Sequence, residues 1–433
     1  MPSSHAHDHG AHSHGPDPDA PPPSPEVLTR RRRAVWLMLL LLVPVGLATI
    51  VGLVVLWPGD EPTRAEQAAE LYLPPGTTYP EGRVSAVEPF DCSLPGSEGQ
   101  PAQQLTCATV VVEVLDGDGA GEFQQLEIPA EVYAAGMEEG DVLVLTRDPA
   151  AEGGAGYAFY DYDRDVPIVA LTVAFAVVTV AVARLRGLAA LVGLVFAFFV
   201  MLQFMLPGLL GDSSPTLVSL VGSAAIMFVV LYLAHGFSAR TTTALVGTLF
   251  GLTLVAVLGA VAVATARLTG LTSEETTTLN QFDPAIDFSG LVLAGVVVAG
   301  LGVLNDVTIT QASAIWQLHE VDPRMTWSEL YRRGMAVGRD HIASTVYTIV
   351  FAYAGASLPL LMLFEVYAQP WDVVLTSSAL AEEVIRTLVG SIALVLAVPV
   401  TTAAGAFFAK AAGTAAGAAT ERRVTALRTR FAR

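Results

Sequence analysis

The chain has 433 residues, 53% of them hydrophobic and only 15% charged, and its mean hydropathy is positive. That balance excludes an ordinary soluble protein and places the chain among polytopic membrane proteins. Its net charge of -18 speaks against a nucleic-acid partner, which needs basic patches, and its two cysteines are too few for a disulfide-rich scaffold or a four-cysteine metal site.

Residues 1–29 are polar, rich in His, Pro and Asp, and read as a disordered cytosolic tail. Within it, His5, His7, His9, His12 and His14, with Asp8, put several neutral imidazoles on one flexible tract. Imidazoles are good ligands for zinc, nickel or copper, so one reading is a divalent-metal buffer or sensor. The other is an unstructured polar tail with incidental metal affinity. No other cofactor is expected, because the chain has neither HExxH nor CxxC spacing.

Arginines at 30–33 directly precede an apolar run, which predicts a first transmembrane helix within 30–56. No small-residue cleavage site follows, so the segment reads as an anchor rather than a removed signal peptide. The arginine block places the N-terminus in the cytosol.

Residues 57–165 read as an exported acidic β domain. They hold 22 acidic and 4 basic side chains, a balance equal to that of the whole chain. Alternating runs at 82–90, 105–115, 123–128, 141–147 and 157–160, separated by Gly, Pro and Asp, predict a small five-stranded β barrel, OB-like or SH3-like. Cys92 and Cys107 fall on the oxidising side in this scheme, which favours a disulfide over two free thiols. Closing a loop of that size contributes about 3 kcal/mol.

Seven further spans are predicted near 166–184, 187–206, 215–234, 242–266, 288–305, 342–364 and 384–408, forming a membrane domain over 166–408. Residues 409–433 then make a basic cytosolic tail with Arg422, Arg423, Arg428 and Arg430. Arg184, Arg186, Arg240, Arg324, Arg332, Arg333 and Arg339 also fall inside. Glu274, Glu275, Asp283, Asp287, Glu365, Asp372, Glu382 and Glu383 fall outside. The fold class is therefore a polytopic α-helical membrane protein of about eight transmembrane helices, with both termini cytosolic and the β domain between helices 1 and 2.

The run at 288–318 is apolar enough to enter the bilayer yet carries Asn305 and Asp306. An ionisable residue inside a membrane segment is costly and points to function. As one helix the run spans about 45 Å against a hydrocarbon core of about 30 Å. It must tilt, project or break, and Gly300 and Gly302 predict a break. Topology puts Asp306 near the cytosolic end of this span.

On a helix continuing past Asn305, Asp306, Thr310, Ser313 and Gln317 share one face. Asp340, Ser344 and Thr348 share a face of the following span, with His341 and Tyr347 beside them. Arg339 at the same mouth is placed to neutralise Asp306 or Asp340. Pro359, after Gly355 and Ser357, predicts a kink. These stripes have two readings. They line a cavity or translocation path, where a carboxylate can hold a cation or exchange a proton. Or they simply hydrogen-bond helices to one another. Gly247 and Gly251 add a GxxxG pattern for close helix packing, and His235 with Gly236 reads as a helix end.

Three long segments, LYLAHGFSARTTTALVGTLFG, LAGVVVAGLGVLNDVTITQASAIWQL and GMAVGRDHIASTVYTIVFAYAGASLPLLMLF, resemble the YibE/F family of bacterial multi-pass membrane proteins. The resemblance covers about residues 160–410 and, more loosely, the β domain. It implies a multi-pass protein of the bacterial inner membrane, of a kind read as a transporter. The family's Gly-rich, Asp-containing segment corresponds to Gly300, Gly302 and Asp306, and its GRD-type motif to Gly338, Arg339 and Asp340. Asn305 stands where members carry Met, and His341 follows the GRD.

No GxSxG, HExxH or protease-type aspartate pair suggests an enzyme, and no Walker A motif suggests a self-contained ATP-driven pump. The expectation is a membrane transporter or permease-like protein for a small solute or ion, with a cytosol-facing polar vestibule around Asp306 and Asp340. The alternative is a non-transporting envelope binding or assembly protein, whose exported β domain holds a partner.

Overall fold

The computed structural model describes residues 25–59, 61–70, 75–93, 104–151 and 156–412. The histidine tract, most of the predicted disordered tail and the basic tail from 413 lie outside the described residues. At residues 25–29, where the tail was expected to continue, helix α1 (Pro25–Val55) has already begun, because the arginine block propagates the helix of the apolar run. The chain divides into two compact units, one over Glu61–Leu188 and one built from the rest.

The first unit opens with a short helix, α2 (Arg64–Ala69), capped reciprocally by Thr63 and Glu66. Five strands follow: β1 (Glu81–Asp91), β2 (Thr106–Val114), β3 (Phe123–Ile128), β4 (Val142–Asp148) and β5 (Gly156–Tyr162). They pair antiparallel in the order β3-β2-β1-β4-β5, and β3 approaches β5 so that the sheet nearly closes. Period-two alternation builds this core. Ala108, Val110, Val112 and Val114 of β2 point inward, with Val84, Leu126, Ile128, Leu143 and Leu145 from the other strands. β1 is long enough to serve two partners, pairing β2 along its length and β4 through its first residues. A bulge between Val84 and Ala86 lets it bend between them. A one-turn helix, α3 (Ala130–Tyr133), lies between β3 and β4. Cys92 and Cys107 form a disulfide with Cα atoms 5.7 Å apart, tying the end of β1 to the start of β2. The unit takes in α4 (Asp165–Ala183), an apolar helix of 19 residues, and ends at Leu188 in the first turn of the next helix.

The second unit holds α1 and the helices that follow α4. These are α5 (Leu185–Val200), extended through a π turn at Met201–Met205 into α6 (Leu206–Leu210), then α7 (Pro215–His235), α8 (Ala239–Ala266) and α9 (Glu274–Phe282). They continue with α10 (Phe288–Val321), α11 (Trp327–Ala356), α12 (Leu358–Val366), α13 (Trp371–Leu375) and α14 (Ser378–Ala412). Among the described residues, seven helical stretches are long and apolar enough to cross a membrane, and α11 with α12 would make an eighth. Spans of this length and apolarity are those a membrane protein needs. α11 and α12 meet at an angle of 61°, at the break expected from Pro359. α7 ends at His235 and Gly236, whose φ of 75° stops the helix.

The expected break at Gly300 and Gly302 is absent. α10 is one helix of 34 residues, about 51 Å long. Gly300 packs against Val255 of α8 instead, and an unbroken helix leaves no backbone group unsatisfied in apolar surroundings. α10 is also the centre of the unit, with α7, α8, α11 and α14 all packed on it. Small residues permit the approach: a Cβ on Gly251 of α8 would stand 2.5 Å from Leu304 Cδ2. Beside Gly302, by contrast, no atom lies within 4 Å of a Cβ. Gly251→Leu is therefore expected to cost about 1–3 kcal/mol through overpacking. Gly302→Ala should leave thermal unfolding of the purified protein unchanged or slightly raised.

Candidate functional site

α10 carries two polar faces with different surroundings. On the packed face Thr308 and Gln311 are buried, the latter only 1% exposed. Thr308 Oγ1 hydrogen-bonds Thr248 Oγ1 of α8 at 2.7 Å. Gln311 Nε2 donates to the Gly334 carbonyl of α11 at 2.9 Å and to Thr402 Oγ1 of α14 at 2.7 Å. Thr402 Oγ1 in turn donates to Val398 O, which fixes its orientation. Gly338 lies beside Gln311, where a Cβ would stand 3.1 Å from Oε1. Of these buried positions only Gly338 was singled out from the sequence, in the GRD-type motif. The signal available was Thr308 and Gln311 at i and i+3, on the face opposite the Asp306 stripe.

The second face is more open. Asp306 and Gln317 are exposed, Thr310 and Ser313 are half-buried, and Gly302 lies on the same stripe with free space beside it. Asn305 is half-buried and its Oδ1 is buried without a hydrogen-bond partner. Asp306 is the nineteenth of the 34 residues of α10, and the helix runs 15 residues beyond it. The span predicted over 288–305 is corrected in its bounds: the helix continues to Val321 and carries Asp306 near its middle.

On α11, Arg339, Asp340, Ser344 and Thr348 are exposed and His341 is half-buried. Thr348 Oγ1 donates to the Ser344 carbonyl. Gln311 against Gly338 and Ile315 against Gly334 set the antiparallel register of the two helices, with Val307 and Ile342 in one apolar cluster. That register carries Asp306 to the level of the turn holding Asp340 and Ser344. The two predicted stripes thus share a depth. The expected ion pair of Arg339 with Asp306 or Asp340 is absent among the described residues. The reason is angular: Gly338 faces the helix contact, and the next residue is turned about 100° away from it.

A third polar group was placed wrongly from the sequence. Glu382 and Glu383 were expected in an outer loop, but α14 begins at Ser378 and takes both into its second turn. The intervening Leu, Ala and Glu residues are good helix formers, so the helix starts before the strongly apolar stretch. Glu382 is 8% exposed. Its Oε2 accepts from Thr272 Oγ1 at 3.0 Å, while its Oε1 is buried without a partner. Arg386 Nη1 pairs with Glu383 Oε1 at 2.5 Å, and Arg386 lies against Gly295 of α10. The i, i+3 and i, i+4 spacing of Glu383 and Glu382 to Arg386 was the missed signal.

At the opposite end of α14, Lys410 Nζ donates to the Met325 carbonyl and ties down the α10–α11 turn. His319 is buried beside it with Nδ1 unpartnered. No group of three or more His, Cys, Asp or Glu is placed to hold a metal ion among the described residues.

Fold and site together describe a mostly helical protein with several apolar helices of membrane-crossing length, organised on one long polar-striped helix. The chain belongs to the YibE/F-like protein family, whose model matches residues 171–411. The match takes in α10, α11 and α14 but not the β domain. No curated protein and no solved structure matches the chain.

Gln311→Leu removes the bridge among α10, α11 and α14. It is expected to cost about 1–2 kcal/mol, in the range of interhelical hydrogen bonds, and to lower the unfolding temperature in detergent. Gln317→Leu, on the open face, should leave that temperature unchanged.

Proposed function

We propose that the chain is a membrane transporter or permease-like protein for a small solute or ion. In this proposal a polar path runs along the open face of α10 beside α11, past Asn305, Asp306, Thr310 and Ser313 and the level of Asp340 and Ser344. One observation carries the reading. Asp306 is a carboxylate without an ion pair or hydrogen bond among the described residues, in the middle of an unbroken helix of membrane-crossing length. A carboxylate in that position is retained at a cost, and a cation or proton is what it serves best. Gln317, further along the same face, then lines the cytosolic mouth, while Arg339 and His341 flank Asp340 at the level of the path.

The arrangement proposed around this path is that of a bacterial inner-membrane protein with cytosolic termini and an exported β domain. The positive-inside distribution of arginine supports it. For the β domain we propose an OB-like barrel rather than an SH3-like one. The strand order, the approach of β3 to β5 and the helix between β3 and β4 all favour it. Tyr79 and Tyr160 stack edge to face on the surface of that domain, 5.1 Å apart, which favours a supplementary role in holding an envelope partner.

The test is flux through the full-length protein in proteoliposomes, screened with small solutes and a pH-sensitive dye inside. Wild-type protein should give solute- or ion-dependent flux, and Asp306→Asn should reduce it to background while thermal unfolding stays unchanged. Flux that Asp306→Asn leaves intact removes Asp306 from the path. No flux at all, with an envelope protein crosslinked to the β domain, favours the non-transporting reading.

A further inference from the structure

We propose that Glu382 is a proton-binding site, and that its proton is the ion coupled to the transport proposed above. The second half of that statement rests on the transport reading; the first half stands on the geometry of α14.

Three ionisable groups lie within two turns of α14: Glu382, Glu383 and Arg386. Arg386 is committed to Glu383 through a contact of 2.5 Å. Glu382 is the more buried carboxyl and has no cation of its own. Its one side-chain partner is the neutral Thr272 hydroxyl. Its second oxygen is buried without a hydrogen-bond partner. An isolated carboxylate in such surroundings is strongly disfavoured, whereas a carboxylic acid is not. A hydrogen on Oε1, with Oε2 accepting from Thr272, makes the cluster neutral: one arginine, one carboxylate and one acid.

The charged groups that act on Glu382 are Arg386 and Glu383 of its own helix. The loop before α9 presents Thr272 and the Gly270 backbone, α10 presents Gly295, and α11 presents Tyr353 toward Arg386 and Glu383. A metal cation is a poorer occupant, since the described residues offer no group of three carboxylate, imidazole or thiolate ligands.

The position of Arg386 gives proton release a mechanical consequence. Glu383 and Glu382 stand three and four residues before Arg386, so both are within its reach. When Glu382 gives up its proton, the carboxylate competes with Glu383 for the same guanidinium. Arg386 rests against Gly295, where no side chain fixes it, and it lies near Tyr353. Exchange of its partner therefore disturbs the contact of α14 with both α10 and α11, the two helices that carry the polar stripes. Proton transfer is complete in itself: the O–H bond of Glu382 breaks, the proton leaves to water, and no oxidant or co-reactant is involved.

Infrared difference spectroscopy on the full-length protein in lipid films, titrated from acid to alkaline pH, reads this directly. Wild-type protein should show a carboxylic-acid C=O band at neutral pH that disappears on alkaline titration. Glu382→Gln should remove the band, and Glu382→Asp should retain one. Glu383→Gln frees Arg386 for Glu382 and should move the titration of the band to lower pH. A wild-type spectrum without an acid band at neutral pH, or a band that Glu382→Gln leaves unchanged, overturns the proposal. So does a sodium-dependent rise in unfolding temperature that Glu382→Gln abolishes, which would make the occupant a metal cation. No substrate is needed for these readings. Their failure leaves the flux experiment untouched, and absence of flux leaves the protonation of Glu382 testable.

Discussion

One buried amide fixes the geometry on which the rest depends. Gln311 donates from α10 to the Gly334 carbonyl of α11 and to the Thr402 hydroxyl of α14. It reaches both because Gly338 leaves room beside it. Each interhelical hydrogen bond contributes only about 0.6–2 kcal/mol, so the amide orients the helices more than it binds them. Apolar contacts of Val255, Val296, Val297 and Leu304 supply most of the adhesion. With Gln311 turned inward, α10 cannot rotate. Asp306, five residues earlier, then points about 140° away from Gln311. The openness of the Asp306 stripe is a consequence of the packing on the other side of the same helix.

The polar groups of the membrane unit fall into two kinds. Thr248 with Thr308, and Gln311 with Thr402, are joined by hydrogen bonds that hold helices together, although Gln311 Oε1 is buried without a partner. Asp306 and Asp340 have no hydrogen bond or ion pair among the described residues, and Glu382 has one oxygen without a partner; an unpaired carboxylate in a membrane segment is costly. Asp306 and Asp340 share one depth. Glu382 lies near the end where α10 and α14 begin, with Arg386 against Gly295, eleven residues before Asp306 on α10. α10 thus contacts both groups, through Asp306 itself and through Arg386 at Gly295.

Much of this was legible in the sequence, for physical reasons. Strand alternation located all five strands within a few residues and placed β3 at the residues it occupies. Apolar runs located the spans, and Pro359 located the bend between α11 and α12. The failures also have causes. A glycine pair in an apolar run can mean a break or a close approach, and Gly300 serves the second. Hydropathy begins a span at its first strongly apolar stretch, so it left Glu382 and Glu383 outside a helix that starts four residues before Glu382. Reading polarity from Asp306 outward found the open stripe and missed Gln311, whose value lies in partners from distant segments that no local pattern reveals.

The central claim is that the Asp306 face of α10 meets water rather than lipid or protein. Cysteine accessibility in sealed vesicles tests it, since the two native cysteines are paired with each other. Gly302→Cys should react quickly with a charged, membrane-impermeant thiol reagent, whereas Val297→Cys, on the packed side of the same helix, should not react until the protein is unfolded. A Gly302→Cys thiol that stays unreactive from both sides of the membrane while the protein remains folded would contradict the account.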